Sequence, residues 1–210
     1  MTLLDRGVAA FNEYFTTELA TIPEDTRIRA ANRGKETGKW WLQEAPKMVD
    51  NYIQWRKNNP TLMPWVTPDG EVAIEIGIDI KITEHTTVKG FIDRVFEDTE
   101  TGELIIIDFK SGKTIPNTIQ LAWYRLLLND RYGVSPKYGA YWMARNGTLD
   151  SIHDLDRFPV ETVRVWADDV YQNIQKKIFA PSVSYDCKDC GLATMCYTQN
   201  KNLPVPALSF

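Results

Sequence analysis

The 210-residue chain has only three cysteines, two histidines and no excess of positive charge. Each shortage removes a class of reading. Three is an odd number and all three lie at Cys187, Cys190 and Cys196, which excludes a disulfide scaffold and points to a metal or cluster site. His85 and His153 read as loop residues rather than ligands. Lys and Arg total 24 against 28 Asp and Glu, net −4, so bulk charge supplies no broad attraction toward nucleic acid or anionic membrane. A nucleic-acid partner would have to be held by a local groove. No apolar run approaches the roughly 20 residues that span a bilayer, and Met1-Thr2-Leu3-Leu4-Asp5-Arg6 lacks the regions of a signal peptide. No membrane partner and a cytoplasmic location are the expectation.

What is present suits one hydrophobic core: 43% hydrophobic residues, 11% aromatic and a mean hydropathy of −0.33. No repeat or linker divides the chain, so a single domain over residues 1–210 is expected, with 181–200 a C-terminal cysteine segment. Val8, Phe11, Phe15 and Leu19 recur at helical spacing and predict a helix over 5–19. Pro46 suits a first helical turn, so a second helix is predicted over 46–57, stopped by Asn58-Asn59-Pro60.

Residues 71–83 alternate strictly, with Val72, Ile74, Ile76, Ile78, Ile80 and Ile82 on one face, as in a half-buried strand. Two more strands follow over 87–97 and 104–110 with short connections, which predicts an antiparallel meander. The run Leu104-Ile105-Ile106-Ile107 has no polar alternate, so that strand is expected to be covered on both faces and central. A helix over 116–132 ended by Gly133, a strand over 138–144 and a long helix over 160–179 complete an α/β layered domain.

Asp93 lies inside an apolar strand and Asp108 follows three isoleucines. Burying such carboxylates is costly unless cations or donors compensate, so either Arg94 and Lys110 neutralise them or a divalent metal does. Asp108 and Lys110 are two apart and share a strand face. If the second and third strands pair, Asp93 reaches the same point, and two carboxylates with one ammonium suit oxygen-ligated Mg²⁺ or Mn²⁺ and a phosphate substrate. The bland alternative is a solvated Asp93–Arg94 pair with Lys110 capping the next loop, because Asp-x-Lys is a common tripeptide. Gln120 and Tyr124, four apart, share one face of the following helix.

The order Gly90-Phe91-Ile92-Asp93-Arg94, then Asp108-Phe109-Lys110-Ser111-Gly112, then Gln120-x-x-x-Tyr124, then Cys187-x2-Cys190-x5-Cys196 resembles the PD-(D/E)XK nuclease superfamily. Within it, the chain is similar to the RecB-like exonuclease branch that includes CRISPR-associated and phage-encoded members. The resemblance implies a restriction-endonuclease-like core, a central mixed β-sheet flanked by helices. It implies that Asp93, Asp108 and the main-chain carbonyl of Phe109 ligate Mg²⁺ or Mn²⁺, with Glu75 as a further acidic ligand. Lys110 would act on the attacking water and the phosphate, and Gln120 and Tyr124 would bind the DNA strand. The activity implied is hydrolysis of DNA from free ends, single-stranded DNA being preferred, in DNA processing or recombination. Such cleavage leaves a 5′-phosphate and reads no base sequence. The setting implied is the cytoplasm of a bacterium or a phage-infected cell.

Two departures from the family pattern stand out. The family's early-helix Gly-x-x-x-His is absent: Gly7 is followed by Phe11 and Gly34 by Gly38 at the histidine position. Cys187, Cys190 and Cys196 match the iron-sulfur members, whose four-iron cluster takes a fourth cysteine from upstream. That cysteine would precede Met1; the alternatives are zinc with another fourth ligand, or no metal. The rival readings are a weakened nuclease fold that binds DNA or a partner, favoured by the missing histidine, and an endonuclease of the same superfamily. Finally, Trp40 and Trp41, beside Lys35 and Lys39, are the aromatic residues best placed to stack on single-stranded bases.

Overall fold

Three isoleucines in a row leave residues 104–110 no solvent face, and in the computed structural model this segment is indeed interior to the sheet. The structure describes residues 1–22, 36–178, 183, 187, 190–196, 198, 199 and 202. In chain order the described elements are α1 (Leu3–Thr21), α2 (Gly38–Asn58), β1 (Leu62–Pro64), β2 (Ile74–Lys81), β3 (Thr87–Asp98), β4 (Leu104–Lys110), α3 (Ile119–Tyr132), β5 (Tyr138–Met143), β6 (Thr148–Leu149), β7 (His153–Asp154), a short 3-10 turn (Leu155–Arg157) and α4 (Val160–Gln175). The chain divides into two compact units, 1–166 and 167–210, and the sheet belongs to the first.

The sheet is mixed, in the order β1-β3-β4-β5-β6, with β2 also paired to β3 and β7 to β5. β2, β3 and β4 form the expected antiparallel meander, and β5 returns parallel to β4 after the α3 crossover. The two faces of β4 enter different clusters. Ile106 packs with Leu121, Tyr124 and Leu127 of α3, while Ile107 packs with Trp55, Phe96 and Trp142 on the other side. Both isoleucines are fully buried, a gain of about 2 kcal/mol each. This is an α/β fold with helices against a curled mixed sheet.

Several boundaries depart from the sequence expectations for physical reasons. α2 starts at Gly38 rather than Pro46, because the Thr37 hydroxyl accepts the Trp40 N–H (3.3 Å) and caps the helix eight residues earlier. Pro46 therefore lies inside the helix, where it removes one backbone donor; burial of Ala45, Ile53 and Trp55 on the same helix compensates. α3 begins at Ile119, not 116, and stops at Gly133, whose φ of +72° is the left-handed cap glycine takes without strain. α4 ends at Gln175, short of the expected 179, because Lys177 takes a left-handed backbone (φ +57°) that a helix does not continue through; residue 179 itself lies outside the described residues, as does Lys35.

The largest departure is in β2. Ala73 is fully buried while Val72 and Ile74 are 45% and 40% exposed, so the apolar alternation holds only from Ile76 onward. The reversal falls at Glu75, which has φ +52°, a left-handed conformation rare for a non-glycine residue in a strand. β3 breaks step at the same level: Ile92 and Val95, three apart, both enter the α3-side cluster. Asp93 lies in that break.

Helix α3 is held close over β3 and β4. A Cβ on Gly90 would come within 2.6 Å of Leu127 Cδ1, so glycine is what lets the helix approach. Its start is tied by Tyr141, whose hydroxyl donates to the Asn117 carbonyl (2.6 Å), and Arg125 donates to the Leu155 carbonyl and Asp156. These contacts set the face of α3 that carries Gln120 and Tyr124 against β4.

Candidate active site

The strand registers line three carboxylates up in a row. Arg94 pairs with Ile107 of β4 and with Ile74 of β2. The next residue, Asp93, therefore stands level with Asp108 on one side and Glu75 on the other. The regular β3–β4 ladder ends at Arg94, and there the Asp93 side chain takes over: its Oδ2 accepts the Phe109 N–H at 2.6 Å.

Asp108 is 1% exposed and is surrounded by donors. Its Oδ2 lies 2.5 Å from Lys110 Nζ, and its Oδ1 accepts from Gln120 Nε2 (2.9 Å) and the Tyr124 hydroxyl (3.2 Å). Gln120 binds in both senses: its amide nitrogen also donates to the Tyr124 oxygen (2.7 Å), and its Oε1 accepts from Lys110 Nζ (3.1 Å). The Lys110 ammonium additionally sits 5.6 Å over the Tyr141 ring. Residues 108, 110, 120 and 124, from a strand and the helix after it, thus form one connected network.

Electrostatics follow from this crowding. Burial pushes the Asp93 carboxyl above its ordinary value; the Phe109 amide pulls it back, and the charges on Asp108 and Glu75 push it further up. Burial likewise pushes the Tyr124 phenol up, to about 12, with the charges of Asp108 and Asp93 acting in the same direction. Tyr124 is therefore a neutral hydrogen-bond donor to Asp108 at physiological pH.

The donor set fits a hard divalent cation. All candidate ligands are oxygens, and mutually repelling carboxylates are what a cation would relieve. Asp108 Oδ2 is a buried oxygen with no hydrogen bond of proper geometry, although the Lys110 charge is close. Among the described residues, no three His, Cys, Asp or Glu side chains are grouped to hold an ion. Glu75 bears on Asp93 through its charge but does not join such a group, and neither do the cysteines. A magnesium ion held by one or two carboxylates, with water and substrate phosphate completing its shell, needs no third side chain.

The two histidines are engaged by other groups of the first unit. His153 is paired with Asp150 (2.8 Å), which also accepts the Tyr141 N–H, and His85 is in the turn between β2 and β3. In the second unit, Cys187 and Cys196 are half-buried and Cys190 is exposed; none of the three is in a disulfide. Cys196 lies 3.1 Å from the Thr198 hydroxyl, and that hydrogen bond lowers the thiol's pKa.

Sequence reasoning missed one group beside the site. Arg145, just beyond β5, donates through Nε to the carbonyl of Ser111 (2.5 Å), the residue after Lys110, and through Nη2 to the buried Glu36 (2.8 Å). Lys113 Nζ lies 3.4 Å from the other Glu36 oxygen. Arg145 holds the Glu36 carboxyl below its ordinary value. Residues 36, 113 and 145 share no motif spacing; the parallel pairing of β4 with β5 brings the segments of Lys113 and Arg145 together, and Glu36 meets them from the residues before α2.

A mixed α/β sheet with a buried Asp-x-Lys strand end facing polar side chains of a helix is the class of site that handles phosphodiesters with a divalent ion. The chain belongs to the PD-(D/E)XK nuclease superfamily, which it matches over residues 2–197. It is similar to the Gene 69 protein of Mycobacterium phage D29, with 27% identity over 214 residues covering 92% of this chain and 75% of the relative. The Gene 69 protein of Mycobacterium phage L5 is 24% identical over 234 residues, covering 93% of this chain and 76% of the relative. Nucleases of this superfamily typically use Mg²⁺ or Mn²⁺ and act on DNA. Among the described residues, no helix is long and apolar enough to cross a membrane.

Proposed function

We propose that this chain is a metal-dependent DNA exonuclease of the RecB-like branch that degrades DNA from free ends, single strands being preferred, during DNA processing or recombination in the cytoplasm of a bacterial or phage-infected cell. The observation that carries the reading is the Asp108–Lys110 pair held by Gln120 and Tyr124, with Asp93 one hydrogen bond away at Phe109. We assign Asp93, Asp108 and the Phe109 carbonyl as ligands for Mg²⁺ or Mn²⁺, with Glu75 adding negative charge at the rim. The bound ion would supply hydroxide near neutral pH and stabilise charge on the phosphodiester.

Every other role falls to the chain itself. Lys110, once released from Asp108, is free to hold the attacking water and a non-bridging phosphate oxygen. The water oxygen gives up a proton and bonds to phosphorus as the bond to the 3′ oxygen breaks, and that oxygen takes up a proton, leaving a 3′-hydroxyl and a 5′-phosphate. Gln120 and Tyr124 keep the Asp108 carboxylate turned toward the reacting group and, with Lys110, place the DNA strand. We further assign residues 1–210 to one functional domain, whose cysteine segment 181–200 is a candidate iron-sulfur or zinc site.

End-labelled linear and circular single-stranded DNA, incubated with protein in Mg²⁺ or Mn²⁺ beside Lys110→Ala and Asp108→Ala, test the reading. Loss of the linear DNA alone, abolished in both variants, is expected. Loss of both forms would make the protein an endonuclease, and binding without hydrolysis would make it a DNA-binding module. Metal analysis with a visible absorption spectrum decides iron against zinc at the cysteines.

A further inference from the structure

We propose that Trp40 and Trp41, with Arg145 and Lys113, form a subsite that holds a single-stranded stretch of nucleic acid next to the reacting centre. This proposal rests on the nuclease reading for its purpose, but its geometry is independent of it. The two indoles meet edge to face, with ring centroids 4.9 Å apart, and the Arg145 guanidinium lies 4.7 Å from the Trp40 ring and 5.4 Å from that of Trp41. The expected companions of these indoles were neighbouring lysines; the actual one comes from more than a hundred residues away.

The location is what gives the cluster meaning. The Ala144 N–H donates to the Lys110 carbonyl (2.9 Å), so Arg145 leaves the sheet at the strand edge where Lys110 ends β4. The Arg145 bond to Ser111 then joins the cluster to the residue following Lys110. A strand whose scissile phosphate lies at Lys110 would have its neighbouring nucleotides within reach of this cluster.

Its chemistry is that of a single-strand platform. Both indoles are half-buried, so each is fixed on one side and keeps surface for a base. A paired base is already stacked within its duplex, whereas an unpaired one has a free π-face, and stacking on an aromatic ring tolerates any base. Arg145 is locked by Glu36 and Ser111 through two of its five N–H groups, leaving donors of fixed direction. The Lys113 side chain, 61% exposed beside Glu36, supplies a second positive charge for the backbone. The cluster is thus a local patch of cations and aromatic rings on a chain of net charge −4.

The test is equilibrium binding of a fluorescein-labelled dT12 to the full chain in EDTA, followed by anisotropy, with a 12-base-pair duplex alongside. Trp40→Leu and Trp41→Leu should each weaken dT12 binding about tenfold, and Trp40→Phe should restore much of it, because phenylalanine stacks and leucine only fills space. Lys113→Gln should reduce the slope of log affinity against log salt by about 0.7, the value for one single-strand phosphate contact. Circular dichroism melts check that each variant folds; where a leucine variant does not, Lys113→Gln carries the test, and an unchanged salt slope would overturn the proposal. Wild type that ignores dT12, leucine variants that bind it as wild type does, or a duplex bound equally well and equally weakened would each overturn the proposal. Hydrolysis in Mg²⁺ is read separately, so the platform can stand where the exonuclease fails, and the reverse.

Discussion

Asp93 and Phe109 are joined across neighbouring strands by a 2.6 Å hydrogen bond in which the main-chain amide of Phe109 donates to the carboxylate of Asp93. A side chain here replaces the rung that the backbone of β3 would have supplied, and the ladder is continued by an acid. The same residue, Phe109, carries the carbonyl assigned to the metal. Position and charge of Asp93 are therefore coupled to the local shape of β4.

Burial raises the Asp93 carboxyl, so the folded chain retains that proton to a higher pH than the unfolded chain does. More protons bound in the folded state means that stability falls as pH rises from the unfolded value through the folded one. Asp93→Asn keeps an acceptor for Phe109 and removes the charge. Its metal-free melting midpoint at pH 7 should lie about 1–2 °C above wild type, a small gain because the side chain is only half-buried and solvent screens it. The difference should vanish near pH 3, and Mn²⁺ should stabilise wild type but not the variant. Calorimetric melts at both pH values check this.

Lys110 is the counter-charge for a carboxylate that is 1% exposed. Removing it strands that charge, and Lys110→Met should cost about 3 kcal/mol in urea unfolding. Asp108→Asn in the same background should recover most of the loss. A double variant as unstable as Lys110→Met would show that the two groups are not energetically paired.

Glu75 holds a left-handed backbone within a strand, a conformation costing a side chain roughly 1 kcal/mol or more. Glu75→Gly should raise the melting midpoint by about 2–4 °C while lowering metal-dependent activity. Equal or lower stability would mean that Glu75 makes compensating contacts.

Tyr124 is pushed up to about 12 from 10. The folded state keeps the phenol proton, so its contribution is complete below pH 10 and is lost as pH climbs toward 12. Tyr124→Phe should cost about 1 kcal/mol at pH 7 and show a shallower decline of stability above pH 10 than wild type. Parallel slopes in alkaline denaturation would contradict this.

The β2–β3–β4 meander, the central place of β4 and the shared faces of Asp108 with Lys110 and of Gln120 with Tyr124 were legible, because period two and spacing four dictate faces within one element. The unlabelled turn in β2 was not. Val72 and Ile74 continue the hydrophobic alternation, and no residue type announces that Glu75 reverses it; only the pairing of β2 with a bent β3 requires the flip. Pro46 misled for a related reason, since a proline is tolerated inside a helix whose buried face outweighs one lost bond. Arg145 over Trp40 is a long-range contact, and no local pattern encodes one.

Tyr124 belongs to two communities at once: its ring lies in the cluster with Ile106, Leu121 and Leu127, and its hydroxyl meets Asp108. The reacting groups consequently have no private scaffold that could soften ahead of the rest. Drift anywhere along the helix–sheet seam is transmitted to the acid at its centre, and warming should extinguish turnover and native packing together.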